Sequence, residues 1–580
     1  MIEKAIILVE PSELSAAGRL EKLLAVFGVA CRQLTSSEFL AFAGTSDGES
    51  KFRLLASSAA FLKLAEKPGE NSEAGSNWTN KVHSVFLFAS NDPASLEKLA
   101  KQITGDINAS LAKINQGAEW LVSNEIPDFC KSMSGVRVIA ANDVEATLLV
   151  FDESKSNTAK IISTKGGAAF VRSEFWSVPV FLSTADVIDV DAELSARSFD
   201  IRQHFLQATP IVMYVKWAFA ETCWQPPETG ACLVIDDPLL HPRYGFLNFQ
   251  RLLDLMERVN FSTSIAFIPW NCNRSAQKTV GIFQKNPKRF SLSVHGCDHT
   301  GGEFGSRNSG RLAWKSRQAT QRMARHKSKT GLSHDPVMVF PQGVFSEVAM
   351  AVLKRGDFIG VVNSEVVSTD PQPRQIKIAD YWDVAVMNYS DFPIFTRRYP
   401  WAGVENFAFD ILLGKPCIVV VHQNDCHDNC HHIVEFVERL NQLNANLHWT
   451  NLAEIVRRSF RQREISPGVV EVKMYGSEAR IENSSGDKKV FRIRKCESAP
   501  ETIKEIRAAA QPVKWNAAEN QVAFDAELNP GESKTITIAF NETSGEGFAG
   551  ESLNYKAKTM LRRYLCEIRD NYVMRKLFSQ

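Results

Sequence analysis

The feature that most constrains this chain is a series of alternating apolar and helical segments between residues 231 and 425. The apolar segments are short and of β type, and most are separated by helical patterns such as NFQRLLDLMERV and SEVAMAVLKRG. The apolar segments are CLVIDD, TSIAFIPW, FSLSVHG, VMVFPQG, FIGVVNS and CIVVVHQND. Six or more such units within about 230 residues predict a closed or nearly closed β/α barrel rather than an open sheet.

Polar residues follow several of these predicted strands at their carboxyl ends. Asp236 and Asp237 end the first segment, His295 ends the third, the turn Pro341 to Gly343 follows the fourth, and His422 ends the last. In β/α barrels the carboxyl ends of the strands form the rim that carries the active site. We therefore expect these residues to converge on one site.

The sequence HGCDH, from His295 to His299, supplies two imidazoles four residues apart. Catalytic zinc is generally held by three ligands of the His and Asp/Glu type, with one position open for water. The adjacent acids Asp236 and Asp237 would repel each other in a desolvated rim unless a cation lay between them. The pattern predicts a divalent metal site, and Asp298 is the internal alternative to Asp237 as the carboxylate ligand.

Other interpretations of these residues stay open. The two histidines can simply cap a loop, and the paired acids can cap a helix or form a turn with Pro238. A set of two histidines and one carboxylate also binds non-haem Fe(II) in oxygenases. The segment from Cys426 to His432 is dense in soft ligands, which is compatible with structural zinc.

The ordered set of motifs resembles the polysaccharide deacetylase superfamily, the NodB-like metal-dependent carbohydrate esterases. The resemblance covers about residues 226 to 462 and comprises Asp236-Asp237, His295-x-x-x-His299, Phe340-Pro341-Gln342-Gly343 and Val420-Val421-His422. It implies a distorted β/α barrel with fewer than eight strands. It also implies hydrolysis of an N-acetyl, or sometimes O-acetyl, group on a sugar.

The resemblance gives each matching residue a role. Asp236 would be the general base, and His422 would be the general acid. Asp237, His295 and His299 would bind the metal. The implied cofactor is a divalent ion, Zn²⁺ in the first place, with Co²⁺ or another divalent ion as the alternative.

Two positions depart from the pattern of the family. The family usually has Ser or Thr after the first metal histidine, where this chain has Gly296, so a hydrogen bond that orients the loop is missing. The arginine commonly found just ahead of the Pro-x-Gly element is also absent, since residues 338 to 340 are apolar. Either another residue therefore orients the base, or the activity is altered. The predicted substrate-binding or supporting residues are Asp298, Pro341, Gly343, Asp383, Arg397 and Asp425, with Arg398 as an alternative to Arg397.

Four regions are predicted along the chain. Residues 1–225 form an α/β accessory domain, and residues 226–465 form the deacetylase-like (β/α) barrel. Residues 466–545 form a small antiparallel β-sandwich, and residues 546–580 form an amphipathic C-terminal helix. Because the helix is basic, it is predicted either to contact a membrane surface or another protein, or to dock on its own chain.

Composition narrows the remaining classes. The chain has 580 residues, of which 44% are hydrophobic and 23% charged, as in a globular multidomain protein. A formal net charge of +1 gives no global argument for nucleic acid, so no such partner is expected. No apolar window is long enough for a transmembrane segment, and no signal-peptide pattern is visible. The predicted location is the cytoplasm, with a mature exported form left open.

Two functions from different classes are compatible with these features. The first is a metal-dependent hydrolase that removes acetyl groups from a polysaccharide, oligosaccharide or glycan precursor, with a non-sugar amide as the nearest variant. The second is a non-catalytic glycan-binding or scaffold protein of polysaccharide biosynthesis, which the missing motif arginine favours. The intact acid pair, His-x-x-x-His motif and late histidine favour the enzyme.

Overall fold

The computed structural model describes residues 5–10, 14–45, 51–65, 78–89, 92–114, 117–141, 145–194, 196–541 and 548–574. The chain divides into two compact units. The first comprises Met1–Ala192, Phe199–Trp224 and Lys377–Ala379, and the second comprises Glu193–Ser198, Gln225–Ile376 and Asp380–Gln580. None of the helices in the described ranges is both long enough and apolar enough to cross a membrane.

The first unit is built on a mixed sheet of 11 strands. Its strands are β1 (Ala5–Leu8), β2 (Cys31–Leu34), β3 (Phe52–Ser57), β4 (Val82–Phe88), β5 (Ser110–Ile114), β6 (Glu119–Val122), β7 (Arg137–Ile139), β8 (Ala146–Val150), β9 (Ala159–Thr164), β10 (Gly167–Phe175) and β11 (Val178–Ser183). Its helices are α1 (Leu14–Val26), α2 (Ser36–Thr45), α3 (Ser58–Ala65), α4 (Pro93–Thr104), α5 (Pro127–Cys130) and α6 (Phe205–Ala218).

The direction in which neighbouring strands of this sheet pair depends on the segments that connect them. The alternating β and α segments at the start give parallel pairs of β1 with β2 and β3, and of β3 with β4. The turn-rich segments that follow give antiparallel pairs such as β10 with β9 and β11. Short connections can join only antiparallel neighbours, whereas parallel neighbours need a crossover such as a helix.

The second unit contains the predicted barrel as a parallel sheet of eight strands. The strands of this region are β12 (Thr229–Asp236), β13 (Arg243–Tyr244), β14 (Leu247–Asn248), β15 (Thr263–Phe267), β16 (Phe290–His295), β17 (Val337–Val339), β18 (Gly360–Asn363), β19 (Ile394–Thr396), β20 (Cys417–His422) and β21 (Leu447–Trp449). The helices are α7 (Phe249–Val259), α8 (Gln277–Lys285), α9 (Ser309–Thr330), α10 (Glu347–Lys354), α11 (Ile378–Trp382), α12 (Val404–Leu413), α13 (His431–Asn441) and α14 (Leu452–Arg458).

This sheet curls until its two ends almost meet. Seven strands follow one another in the order β19-β18-β17-β16-β15-β12-β20, and β21 pairs with the start of β12 beside β20. The ends are joined by a single bridge, in which the Arg398 N–H donates to the Ile418 carbonyl (3.0 Å) and the Val420 N–H donates to the Arg398 carbonyl (2.9 Å). The curled parallel sheet therefore agrees with the predicted β/α architecture. Seven strands form its wall.

Two further sheets follow the barrel. Their strands are β22 (Arg461–Ser466), β23 (Val469–Met474), β24 (Glu478–Glu482), β25 (Lys489–Cys496), β26 (Ile503–Ala508), β27 (Gln511–Pro512), β28 (Asn516–Ala518), β29 (Gln521–Leu528) and β30 (Ser533–Phe540). Apolar residues from both sheets share one core. The expectation of a wholly antiparallel sandwich is wrong in one pair, because β23 and β25 are parallel. The chain between them first crosses to the other sheet as β24, so β25 returns in the direction of β23.

The last described helix is α15 (Leu553–Ile568), which continues into a π-helical turn over Arg569–Val573. The Ser552 side chain caps its start by accepting a hydrogen bond from the Tyr555 N–H. Its burial pattern is the reverse of an ordinary amphipathic helix, because Thr559 and Arg563 are buried. Apolar side chains are exposed instead, including Leu553, Met560, Leu561, Leu565 and Ile568.

Candidate active site

Neighbouring parallel strands place the predicted catalytic pair side by side. Asp236 ends β12 and His422 ends β20, and the two residues are directly paired in the register of these strands. Residues at paired positions point to the same side of a sheet. All but the first residue of β12 are buried, and so are all but the last of β20. The strands thus form a rigid apolar support, and their polar ends lie at one rim.

Asp237, His295 and His299 form a compact group of three ligand atoms. One oxygen or nitrogen atom from each residue lies within 4.8 Å of the other two. The Asp237 Oδ1 atom lies 3.3 Å from His295 Nε2 and 3.0 Å from His299 Nε2. Within the described ranges, no other group of three or more His, Cys, Asp or Glu residues has metal-ligand spacing. The segment from Cys426 to His432 therefore does not form a second such group there.

The state of each ligand atom fits a divalent cation. His295 Nδ1 lies 3.0 Å from the Val339 carbonyl oxygen, which can only accept, so Nδ1 carries the proton and Nε2 presents its lone pair. Asp237 Oδ1 is buried and has no hydrogen-bond partner. A buried carboxylate oxygen next to two imidazole nitrogens is a donor set for zinc or a similar metal.

Glu303 orients the loop that carries these ligands. Its carboxylate accepts hydrogen bonds from the backbone N–H groups of Cys297 (2.8 Å), Asp298 (3.1 Å) and His299 (3.1 Å). A Cβ atom at Gly296 would lie 2.2 Å from Glu303 Oε1. The Ser or Thr that the family pattern places at Gly296 would therefore collide with this carboxylate. Glu303 supplies hydrogen bonds to this loop in place of the one that a Ser or Thr side chain at Gly296 would make. No sequence motif indicated this role of Glu303.

The turn from Pro341 to Gly343 closes the other side of this loop. A Cβ atom at Gly296 would also lie 2.5 Å from Pro341 Cγ, so the two turns are in close contact. Gly343 has a φ of +70° and lines the cavity of the site. Asp237 and His299 have φ values of +79° and +55°, which are strained for residues with a side chain. Such conformations cost about 1–3 kcal/mol each and cluster where a ligand geometry must be held.

Arg397 makes a contact with the proposed base that the missing motif arginine cannot make in this chain. It lies just after β19, and its Nη1 and Nη2 atoms donate to Asp236 Oδ1 (2.7 Å) and Oδ2 (2.8 Å). Both residues are buried. Burial opposes ionisation of Asp236, yet the Arg397 guanidinium holds the pKa of this carboxyl below its usual value. Of the two arginines considered from the sequence, Arg398 pairs with Asp410 instead.

Asp425 supports the histidine at the end of β20. Its carboxylate accepts a hydrogen bond from the His422 backbone N–H (2.8 Å), which fixes the turn after the strand. The imidazole of His422 lies parallel to the ring of Tyr399, with ring centres 6.0 Å apart. Asp425 therefore acts on the backbone of His422 and lies outside the cavity lining.

The structure groups Asp237, and not Asp298, with the two histidines. The Asp298 side chain is buried in a salt bridge with Lys315 and with Arg322, whose Nη1 atom lies 2.6 Å from Asp298 Oδ1. Its Oδ2 atom also accepts a hydrogen bond from Tyr555 (3.1 Å). The Lys315 and Arg322 side chains of α9 attract this carboxylate, so it points away from the two histidines.

Asp383 is likewise absent from the cavity. It lies after α11, and its carboxylate pairs with Lys473 (2.6 Å) and Arg461 (3.3 Å), while Tyr475 donates a hydrogen bond to it. These partners lie on or beside the first strands after the barrel. The segment ADYWDVAV does not show that residues more than 70 positions later contact the Asp383 carboxylate.

The site opens into a cavity of about 340 Å³ that contains most of the predicted residues. Gln342, from the predicted turn, also lines the cavity. The lining residues that no motif indicated are Ser364, Glu365 and Tyr399 from the barrel, and Arg562, Arg563, Cys566, Arg569 and Asp570 from α15 and the following turn. The basic residues of α15 suggested a surface contact from sequence alone. The structure places the polar face of α15 against the site, whereas contact of this basic helix with a membrane surface or another protein stays a prediction.

Comparison with known proteins gives structural matches alone. No protein-family profile matches the chain, and no curated protein matches it. A family 4 carbohydrate esterase from Bacillus anthracis is 13% identical, with 40% of this chain and 86% of that chain covered and a TM-score of 0.25. A family 4 acetyl xylan esterase from Clostridium thermocellum, in complex with a cobalt ion, is 10% identical over 39% and 89% of the two chains, with a TM-score of 0.25.

A CE4 esterase from Streptococcus mutans is 11% identical over 44% of this chain and 92% of that chain, with a TM-score of 0.26. Each TM-score lies below 0.5, so the function proposed below depends on the site's own geometry. The three matched structures are family 4 carbohydrate esterases, members of the polysaccharide deacetylase family that the ordered motifs of this chain resemble.

Proposed function

We propose that this protein is a metal-dependent hydrolase that removes N-acetyl, or O-acetyl, groups from a polysaccharide, oligosaccharide or glycan precursor. The observation that carries the proposal is the convergence of two sets of residues on one cavity. One set is the group of Asp237, His295 and His299. The other is Asp236 and His422, which lie opposite each other at the ends of neighbouring strands. A metal-binding group beside an acid and a histidine is an arrangement that supports metal-assisted hydrolysis of an amide or ester.

Asp236 is the proposed general base. Its carboxylate accepts hydrogen bonds from Nη1 and Nη2 of Arg397, so it cannot rotate away from the cavity. In this orientation it can accept a proton from the attacking water. Because Arg397 keeps Asp236 ionised, the carboxylate is ready to act without a prior deprotonation step.

His422 is the proposed general acid. An amine leaving group needs a proton as the C–N bond breaks, and a positioned imidazolium can deliver it. The strand register holds His422 next to Asp236, while Asp425 and Tyr399 fix its backbone and flank its ring. The base and the acid therefore lie on adjacent strand ends, close to one reacting group.

Asp237, His295 and His299 are the residues that would hold the metal, with Zn²⁺ the first expectation and Co²⁺ an alternative. When bound there, a divalent cation would polarise the acetyl carbonyl and lower the pKa of water. The chain's own contribution is a fixed set of three ligands. The Val339 carbonyl sets the tautomer of His295, and Glu303 holds the loop of His299.

A carbohydrate substrate is supported by the aromatic surface beside the cavity. Tyr399 lines the cavity, and its ring stacks on that of Trp401 with 4.1 Å between ring centres. Trp401 is 67% exposed, which is unusual for a tryptophan of a folded barrel. A flat, exposed aromatic surface next to a polar cavity suits the apolar face of a sugar ring.

The scaffold alternative loses its main support in this geometry. It drew on the absence of the motif arginine, but Arg397 makes a bidentate pair with the proposed base. No specific observation favours a protein that keeps this pair without catalysis.

Acetate release tests the proposal. The protein would be assayed as purified, after chelation, and after reconstitution with Zn²⁺ or Co²⁺, on a panel of N-acetylated and O-acetylated sugars and oligosaccharides. We expect metal-dependent acetate that disappears in Asp236→Asn and falls strongly in His422→Gln. The exposed His431→Gln is the matched control for the histidine variant, since His431 lies on α13 outside the cavity lining.

Two outcomes would contradict the proposal. Acetate release that survives in Asp236→Asn would remove the assigned base. No acetate from any form, with one metal ion still held through His295 and His299, would point to a non-acetyl amide or to the binding-protein alternative.

A further inference from the structure

The C-terminal helix forms one wall of the candidate active site. Arg562 and Arg563 of α15, and Arg569 of the following turn, line the cavity. These residues belong neither to the metal-binding group nor to the pair proposed to act on the acetyl group. The wall is strongly basic, although hydrolysis of an acetyl group requires no positive charge there.

Polar contacts at both ends hold this wall in place. Near the start of α15, the Tyr555 hydroxyl lies 2.5 Å from Lys315 Nζ and 2.9 Å from Thr300 Oγ1. Beyond its end, the Tyr244 hydroxyl donates to Asp570 Oδ2 over 2.9 Å. Thr300 directly follows the proposed metal ligand His299 in the chain. Hydrogen bonds to the barrel therefore fix the basic wall at the site.

The carboxylates that line the cavity outside the metal-binding group already have cationic partners. The pairs are Asp236 with Arg397, Asp570 with Arg569, and Glu365 with Arg197. The shortest distance between nitrogen and oxygen is 2.7 Å in each of these ion pairs, so none of the three acids is available to a further cation at no cost. The charge of the remaining two arginines is therefore not balanced within the cavity.

Arg562 and Arg563 have no carboxylate partner within the part of the chain that the structure describes. Arg563 is only 5% exposed, and its Nε atom is buried without a hydrogen-bond partner. A guanidinium is always charged and presents five donors, so burying it unpaired is costly. A ligand that brings an anion to these donors would remove that cost.

We propose that the substrate carries an anionic substituent, a carboxylate or a phosphate, which Arg562 and Arg563 bind while the acetyl group faces Asp237 and the two metal histidines. This inference rests on the proposed deacetylase function for the reacting end of the substrate. Arginine matches both anions because its planar fork donates two parallel hydrogen bonds to two oxygens. A uronate next to an acetamido sugar and a sugar phosphate are the two sources of this chemistry.

The test compares substrates that differ in charge alone as far as chemistry permits. Acetate release would be measured from neutral N-acetylglucosamine oligomers, from N-acetylglucosamine linked to glucuronate, and from N-acetylglucosamine 1-phosphate. We expect at least one anionic substrate to have a higher kcat/KM than the neutral oligomers. Preference for the uronate or for the phosphate identifies the source of the anion.

Arg562→Met, Arg563→Met and the control Lys558→Met then locate the selectivity. Lys558 is exposed on the same helix and does not line the cavity, so its variant removes an equal charge outside the site. We expect the ratio of kcat/KM for the anionic to the neutral substrate to fall about 10- to 100-fold in the two arginine variants, and to stay unchanged in Lys558→Met. Thermal melting and metal content would show whether the variant at the buried Arg563 is folded. Arg562→Met tests the same substrate selectivity at a less buried position.

A binding measurement separates this inference from the proposed function. Titration calorimetry of the metal-loaded protein with inorganic phosphate and with glucuronate needs no turnover. Binding that is lost in Arg562→Met and kept in Lys558→Met would uphold the anion site even if no acetate is released from any substrate. Equal turnover of neutral and anionic substrates in all variants would overturn the anion site while the deacetylase stands. Neither acetate release nor anion binding would overturn both.

Discussion

Arg397 holds both carboxylate oxygens of Asp236, with Nη1 to Oδ1 at 2.7 Å and Nη2 to Oδ2 at 2.8 Å, inside the barrel. The two residues are 161 positions apart in the chain. They meet because the sheet curls until the segment after β19 bridges to β20, the neighbour of β12. The bridge between the segment after β19 and β20 therefore also places Arg397 next to the proposed base.

Arg397→Lys tests this relationship. Lysine keeps the charge but cannot donate to both oxygens in one plane, so the Asp236 carboxylate gains rotational freedom. We expect kcat for acetate release to fall by about 100-fold, as for a misplaced catalytic group. Steady-state kinetics would be combined with metal analysis, which should show an unchanged metal content.

Arg374→Lys is the control for this substitution, because Arg374 forms a solvent-exposed ion pair with Glu347 away from the cavity. Its activity should equal that of the parent protein. Full activity in Arg397→Lys would mean that the base does not depend on the bidentate contact.

The choice between two carboxylates gives a second prediction. Asp237→Asn should abolish metal binding, because its Oδ1 atom faces both histidines. Asp298→Asn should keep the metal but lower stability by about 3–5 kcal/mol, because it removes the partner of the buried Lys315 and of Arg322. Metal analysis after dialysis and thermal melting of both variants would check this. Metal lost from Asp298→Asn at a temperature where the variant is folded would restore Asp298 as a ligand.

The glycine between the strand and the metal loop gives a third prediction. Gly296→Ala would place a methyl group 2.2 Å from Glu303 Oε1 at a φ of +63°. We expect the loop to shift and metal affinity to fall about 10- to 100-fold, as for the loss of a supporting contact. Gly281→Ala is the control, because it lies in α8 with nothing within 4 Å of the added atom. That variant should be neutral or slightly stabilising, by about 0.5–1 kcal/mol.

Much of the barrel and of the metal group could be predicted from local sequence. Buried parallel strands are near-continuous apolar runs, and their polar ends mark the rim, so Asp237, His295 and His299 stood out. The strands β19 (IFT) and β21 (LHW) have three residues each and include a polar residue, whereas the equally short β17 (VMV) is wholly apolar. They were absent from the six predicted strands.

The residues that sequence analysis misplaced depend on contacts distant in the chain. Asp298 looked like a ligand beside two histidines, but Lys315 and Arg322, 17 and 24 positions later, turn it away. Glu303 carries no motif, since its three acceptor contacts depend on the fold of the loop. The arginines of α15 reach the site from the far end of the chain, where helical periodicity shows only that one face is basic.

A buried histidine away from the site gives a last prediction, on pH. His326 lies in α9 with no exposed surface; its Nε2 atom contacts Ser275 Oγ (2.8 Å), and its Nδ1 atom is buried without a hydrogen-bond partner. Burial, helped by the nearby His334, lowers the pKa of His326 from 6.5 to about 4. The unfolded chain therefore binds this proton at a higher pH than the folded protein does. The stability that depends on neutral His326 is complete above pH 6.5 and is lost as the pH falls towards 4.

His326→Gln removes this titration, and Gln can still hydrogen-bond to Ser275. Thermal melting of the parent and the variant would be followed between pH 7 and pH 4.5, where the difference in Tm between them isolates His326 from the carboxylates. We expect the parent to lose more Tm than His326→Gln as the pH falls. His431→Gln, at a histidine whose side chain is 68% exposed, should follow the parent at every pH. Parallel curves for the parent and His326→Gln would show that His326 does not titrate differently in the folded and unfolded chains.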